Sequence, residues 1–244
     1  MRLVFFVVAV NFFAQFSYAE VILQEVLATE TVLKKATDKT SLSLLAAGAL
    51  SSLAVQPSDE RLRDNWKNHQ QMSRPIAAVG DFLGSGIAGT MILGGQYFFD
   101  DKKENWKSHA RALIWESALV FAMKYSFGRP RPGNSKNVHS FPSGHTATAF
   151  ATATSLTYSY GWKTGMLVYP VAVVVGLSRL ADDAHWGSDV VAGAFVGFIM
   201  ARASVLDSRQ NSVSTETLTK SSSQTTITPI LSPEFSGIKY VYVF

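Results

Sequence analysis

Three short blocks of this 244-residue chain hold side chains suited to gripping and transferring an anionic group. In KYSFGRPRP, Lys124 ends a helical pattern, and Arg131, followed by Pro132, comes after six intervening residues. In SFPSGHTATAF, Pro142 and Ser143 sit where a helix takes its first residues, Pro suiting the first turn and Ser capping free N–H groups. Gly144 lets another group approach the backbone. A helix N-terminus with bare N–H groups is an anion site, and His145 lies one step inside it. In SRLADDAHWGSD, Ser178-Arg179 closes an apolar helix, His185 follows after five residues, and Asp189 stands four residues later. A His and an Asp at that spacing can hydrogen-bond as a base and its orienter. Each block alone is ordinary: a cation at a helix end, a capped helix with a nearby His, a structural His–Asp contact.

Taken in order, K-x6-RP, PSGH and SR-x5-H-x3-D resemble the signature of the type 2 phosphatidic acid phosphatase (PAP2) superfamily. That superfamily also includes bacterial acid phosphatases and vanadium haloperoxidases. Every fixed position of the pattern is present between Lys124 and Asp189. The residue types suit a phosphoryl group, whose charge is spread over several oxygens. Lys124, Arg131 and Arg179 supply cationic donors, and the guanidinium groups can grip oxygens bidentately. Ser143 adds a hydroxyl and Gly144 a helix-terminal N–H. The resemblance further implies covalent catalysis. His185 would attack phosphorus in line to form a phosphohistidine, with Asp189 fixing its tautomer. His145 would protonate the leaving oxygen and then activate the hydrolytic water. His185 must then be neutral while His145 is protonated, so their environments must push the two pKa values apart. No metal and no cofactor is implied, since three cations do that work.

Other residues read more plainly. His69, His109 and His139 match no motif and read as surface or packing residues, with His139 close to the loop. Arg129, in the extra Arg-Pro step, is either a pocket-rim contact or ordinary loop chemistry. Asp182 and Asp183 read as solvated or Arg-paired carboxylates, the alternative being that they repel certain substrates. Trp186 reads as packing for the last helix.

Six stretches carry helical patterns able to position these blocks. They are Leu42 to Val55, Phe82 to Phe99, Glu104 to Phe127, the PSGH helix to about Tyr160, Thr164 to Ser178 and Val190 to Ala201. In the third, Ala112, Ile114, Trp115, Leu119, Val120 and Met123 are spaced for a buried face. Phe82 to Phe99 has no charge but five glycines. No convincing strand precedes residue 225. The expectation is an all-α, PAP2-type bundle of about six helices over 75–206, after a helical and polar lead-in over 20–74 that includes the polar segment Ser58 to Arg74. Residues 207–224 are Ser/Thr-rich and read as a linker. Residues 225–244 read as an appended β-hairpin. Residues 1–19 have a positive start, an apolar run and small residues before Glu20, the layout of a signal peptide, with an uncleaved anchor as the alternative.

Composition narrows the function. A net charge of +4 without a basic cluster argues against a nucleic-acid partner. The absence of cysteine removes disulfides, thiolate nucleophiles and Cys-based zinc sites. The apolar runs are short for membrane spans, and several are rich in Gly or Thr, which suits close packing in lipid or in a soluble bundle alike. The expected activity is metal-independent hydrolysis of a phosphate monoester or diphosphate. The substrate is read as lipid-linked, at a membrane surface or bilayer on the periplasmic side of the cell envelope. The alternatives are a broad-specificity soluble periplasmic acid phosphatase and a vanadate-dependent haloperoxidase, whose chains are generally much longer. The motifs hold only the phosphoryl end, so they leave the leaving group and the oligomeric state open.

Overall fold

A computed structural model describes residues 29–134, 136–222, 226–231 and 236–241. The expected signal peptide, 1–19, and the first part of the lead-in lie outside them. The chain divides into two compact units, one up to Leu206 and one from Asp207.

Nine α-helices stand among the described residues, three in the lead-in and six from Arg74 onward, the latter matching the expected bundle of about six. The lead-in holds α1 (Thr29–Ala36), α2 (Lys39–Val55), a 3-10 turn (Gln56–Ser58) and α3 (Asp59–His69). Asp38 caps α2 by accepting a hydrogen bond from the Ser41 N–H at 2.7 Å, and Arg202 reaches it from a late helix at 3.1 Å. The polar segment from Ser58 is helical because it starts with Asp59 and Glu60, which complement the helix dipole, and carries Lys67 and His69 in its last turn.

The uncharged, glycine-rich run does not form one helix. It is divided between α4 (Arg74–Gly84) and α5 (Ile87–Phe99), bent by 55°. Gly86 at the break has φ +82°, which side-chain-bearing residues rarely adopt. The bend turns the apolar α5 away while leaving α4 packed beside α8.

Next come α6 (Lys103–Phe127), α7 (Gly144–Tyr160), α8 (Trp162–Ala181) and α9 (Gly187–Ser222). Helix α6 stops at Gly128, φ +56°, whose N–H returns to the Lys124 carbonyl at 3.2 Å. This left-handed cap sets Lys124 in the last turn and releases the loop 128–143. The loop is stitched to the α8–α9 corner by the N–H groups of Gly133, on the Asp183 carbonyl at 3.1 Å, and Ser143, on the Asp189 carbonyl at 3.0 Å. Helix α7 is central. Its buried residues are small, among them Ala147, Ala151, Ala153 and Ser155. On α9, Gly193 and Gly197 leave room for the α7 backbone: a side chain at either would collide with the Ser143 or Ala147 carbonyl.

This packing inverts the usual arrangement of a soluble bundle. The buried clusters are built mostly from Ala and Val, while large apolar side chains face outward. Phe99 is 89% exposed, Leu167 74% and Leu50 68%. Small residues inside and bulky ones outside suit helices solvated by lipid. Two helices, Trp162–Ala181 and Gly187–Ser208, are long and apolar enough to cross a membrane, and the bent α4–α5 pair makes up to three.

In the second unit, the stretch read as a linker is helical as far as Ser222. It contains no Gly or Pro to interrupt the helix begun at Gly187. The backbone of β1 (Thr226–Leu231) runs antiparallel to β2 (Ser236–Val241). The fold class rests on the helices alone, and the appended hairpin stays an expectation.

Candidate active site

The three sequence blocks meet at one end of α6, α7 and α8. Lys124 comes from the last turn of α6 and donates to the His139 carbonyl at 2.8 Å. A methyl group on Gly144 would stand 4.0 Å from its Cε, so the lysine lies over the start of α7. Ser143 precedes that helix fully buried, but its side chain does not cap it. Its hydroxyl accepts instead from Thr146 Oγ1 at 2.9 Å. Pro142 likewise lies in the loop before the helix, not in its first turn. The N–H groups of Gly144, His145 and Thr146 are consequently left without backbone acceptors among the described residues. Arg131 is anchored through its main chain, and its buried Nε has no hydrogen-bond partner. A buried guanidinium N–H without a protein acceptor, together with a lysine and open helix amides, suits an oxyanion.

His185 stands at the α8–α9 corner, 4% exposed. Its Nδ1 faces Asp189 Oδ2 at 3.6 Å and Ser140 Oγ at 3.5 Å. Both are longer than a good hydrogen bond, but both lie on the Nδ1 side and leave Nε2 available. Asp189 is itself firmly held. It accepts from Ser140 Oγ at 2.5 Å, from the Trp186 N–H at 3.0 Å and from Arg129 Nη1 at 2.6 Å. Arg129 is thus neither a rim contact nor a free loop residue. It also donates to Ser188 Oγ at 2.7 Å and to Asp59 Oδ2 at 2.7 Å, and Asp59 accepts from the Ser188 N–H at 2.9 Å. Ser140 and Asp59 had no signal in the sequence. Asp59 lies within a strongly polar run, 129 residues from its partner Ser188, and only the fold buries it.

His145 and Arg179 share an acceptor that sequence reading also missed. Asp81 Oδ1, on α4, lies 2.5 Å from Arg179 Nη1 and 3.1 Å from His145 Nε2. Arg179 Nη2 donates to Asp182 at 2.8 Å, and Asp183 pairs with Arg63 at 2.7 Å. His109 is buried on Gln96 and Thr152, away from this site. His139 stacks on Tyr125 with ring centroids 4.6 Å apart, and His69 is exposed. Trp186 donates from its ring to the Pro130 carbonyl at 2.8 Å.

The electrostatics follow from burying cations together. Burial and the Arg131 charge bring Lys124 down to about 8. Burial lowers His185 to about 4, against the pull of Asp189. His145 is also lowered, first by burial and then by Arg179, with Asp81 opposing. The two imidazoles therefore shift in the same direction in the ligand-free protein, not apart. His185 is neutral at ordinary pH, as a nucleophile must be. A phosphate group beside His145 would act with Asp81 to raise its pKa.

Residues 107–212, the stretch that contains all three blocks, match the sequence model of the PAP2 superfamily. Lipid A 1-phosphatase from Porphyromonas gingivalis is 44% identical over 96 residues, covering 38% of this chain and 21% of that protein. Phosphatidylglycerophosphatase B from Bacillus subtilis is 27% identical over 180 residues, 64% of this chain and 86% of that one. The crystal structure of Aquifex aeolicus LpxE superposes with a TM-score of 0.50 at 28% identity, covering 56% of this chain and 89% of its own. A transmembrane PAP2-type phosphatidylglycerolphosphate phosphatase from Bacillus subtilis gives 0.53 at 20% identity, covering 70% and 96%. The last likeness concerns the fold alone.

Proposed function

We propose that this protein is a membrane-embedded phosphatase that hydrolyses a lipid-linked phosphate ester by way of a phosphohistidine. The observation that carries the reading is the buried His185, with Asp189 on its Nδ1 side, set among Lys124, Arg131 with its unpartnered Nε, and the α7 amides. His185 Nε2 attacks phosphorus as the bond to the leaving oxygen breaks, and His145 gives that oxygen a proton, releasing an alcohol. Water, deprotonated by His145, then cleaves the P–N bond, and inorganic phosphate leaves. Asp189, held by Ser140 and Arg129, fixes the proton on Nδ1 and stabilises the positive ring as the new bond forms. Lys124, Arg131 and Arg179 balance the charge of the phosphoryl oxygens, so no metal is required. The relatives' names supply the substrate range: lipid A 1-phosphate and phosphatidylglycerophosphate are the first candidates. The outward-facing apolar side chains favour a lipid over the soluble ester of a periplasmic acid phosphatase. Action on the periplasmic side follows if the N-terminal segment directs export.

The test is turnover of detergent-solubilised protein on phosphatidylglycerophosphate with EDTA present. Wild type should retain activity, and His185→Ala should lose at least about a thousandfold in kcat. Radiolabelled phosphate should be trapped on wild type as an acid-labile, alkali-stable adduct and be missing from the variant. Comparable turnover by His185→Ala would overturn the assignment of the nucleophile.

A further inference from the structure

Among the described residues, Asp81 is the one carboxylate that touches both the cradle and the expected proton donor. Arg179, 4% exposed, is held from two sides: Asp182 takes Nη2 and Asp81 takes Nη1. The same Asp81 oxygen meets His145 Nε2. One Asp81 oxygen is thus bonded to both a cradle arginine and the expected proton donor, and its side chain is 53% exposed.

The position relative to the reaction matters more. His145 protonates the leaving oxygen, which must come within about 3 Å of its ring. Asp81 lies 3.1 Å from that ring, so whatever is attached to the leaving oxygen passes beside the carboxylate. Beyond it opens a cavity of about 710 Å³ with Trp66, Gln70 and Gln71 in its wall. Its three carboxylates are all paired, Asp182 and Asp81 with Arg179 and Asp183 with Arg63, and of the three Asp81 also meets His145. An aromatic ring, two amides and the Asp81 carboxylate offer stacking and hydrogen-bond acceptors to a hydroxylated group. They oppose a second phosphate placed against Asp81. Lys67 and Arg74 also line the cavity and would act in the opposite sense, towards an anion.

We propose that Asp81 is a specificity-determining residue that selects uncharged, hydroxylated leaving groups, of the sugar or polyol class, and rejects diphosphates. This rests on the proposed phosphatase reading, and it narrows that reading from phosphate esters and diphosphates to monoesters. Like charges a few ångströms apart at a half-exposed site change a rate by about fivefold.

The experiment uses two probes with the same chain, farnesyl phosphate and farnesyl diphosphate, whose leaving groups are a neutral alcohol and an anionic monophosphate. Wild type should favour the monophosphate in kcat/KM. Asp81→Asn should shift the ratio towards the diphosphate by about fivefold. Should the substitution abolish turnover, calorimetric binding of inorganic pyrophosphate against inorganic phosphate reads the same preference, and pyrophosphate should gain in the variant. An unchanged ratio in either measurement, or a wild-type preference for diphosphate driven by Lys67 and Arg74, overturns the inference alone. If wild type hydrolyses neither probe nor phosphatidylglycerophosphate, it is the phosphatase reading that fails.

Discussion

His185 and His145 are expected to take opposite roles, yet burial lowers both imidazoles in the ligand-free protein. The direction of each shift predicts the pH profile. A neutral His185 is required, and it is protonated below about 4, so kcat/KM falls on the acid side near that value. A protonated His145 is also required, and its pKa lies below the usual 6.5, so kcat/KM falls on the basic side below 6.5 as well. Bound phosphate adds negative charge beside His145 and raises its pKa in the complex. The basic limb of kcat should therefore lie at higher pH than that of kcat/KM. Coincident basic limbs in steady-state profiles would mean that phosphate and His145 do not interact. Arg129 shows a different lesson at this scale: its guanidinium links Asp189 to Asp59 behind His185, a supporting role that no local spacing signals.

At the scale of elements, helix ends position the chemistry. The Gly128 cap places Lys124, the uncapped start of α7 exposes three amides, and the α8–α9 corner carries His185. The start of α7 is held in place by α9 through glycines at 193 and 197, where backbone meets backbone. Gly197→Val puts a branched side chain against the Ala147 carbonyl, and overpacking of that kind costs about 3 kcal/mol. Thermal unfolding in detergent should show the loss. Because α7 also carries His145, activity should fall in step. A variant that keeps both its unfolding temperature and its activity would show that the α7–α9 contact is not tight.

For the whole molecule, the inside-out distribution of side chain sizes decides how it meets its surroundings. Phe99, Leu167 and Leu50 cannot all face water without cost, since burying each such group is worth about 2 kcal/mol. Cell fractionation should therefore recover the protein with membranes and release it only with detergent. Recovery in a detergent-free soluble extract would contradict a bilayer-embedded bundle. The site lies at one end of the helices, beside the polar Asp81 cavity. That location suits a substrate whose phosphate is at the interface and whose chains remain in lipid.

The candidate site was legible in the sequence because it rests on residue types at short, regular separations. Lys124, Arg131, Ser143, Gly144, His145, Arg179, His185 and Asp189 stand in three local blocks, and the all-helical character follows from hydrophobic periodicity and the lack of strand patterns before residue 225. The α4–α5 bend was hidden because an uncharged run of eighteen residues has no charge to mark a break. Of the N-terminal helices, α2 was read as Leu42 to Val55, whereas α1 and α3 were not counted because their polar composition resembles a surface segment. Asp59, Asp81 and Ser140 became visible only in three dimensions. Their meaning depends on which cation lies opposite, and an acid in a polar stretch carries no local mark of that. Short-range spacing encoded the reacting groups, whereas long-range packing determined what holds them and what the leaving group must pass.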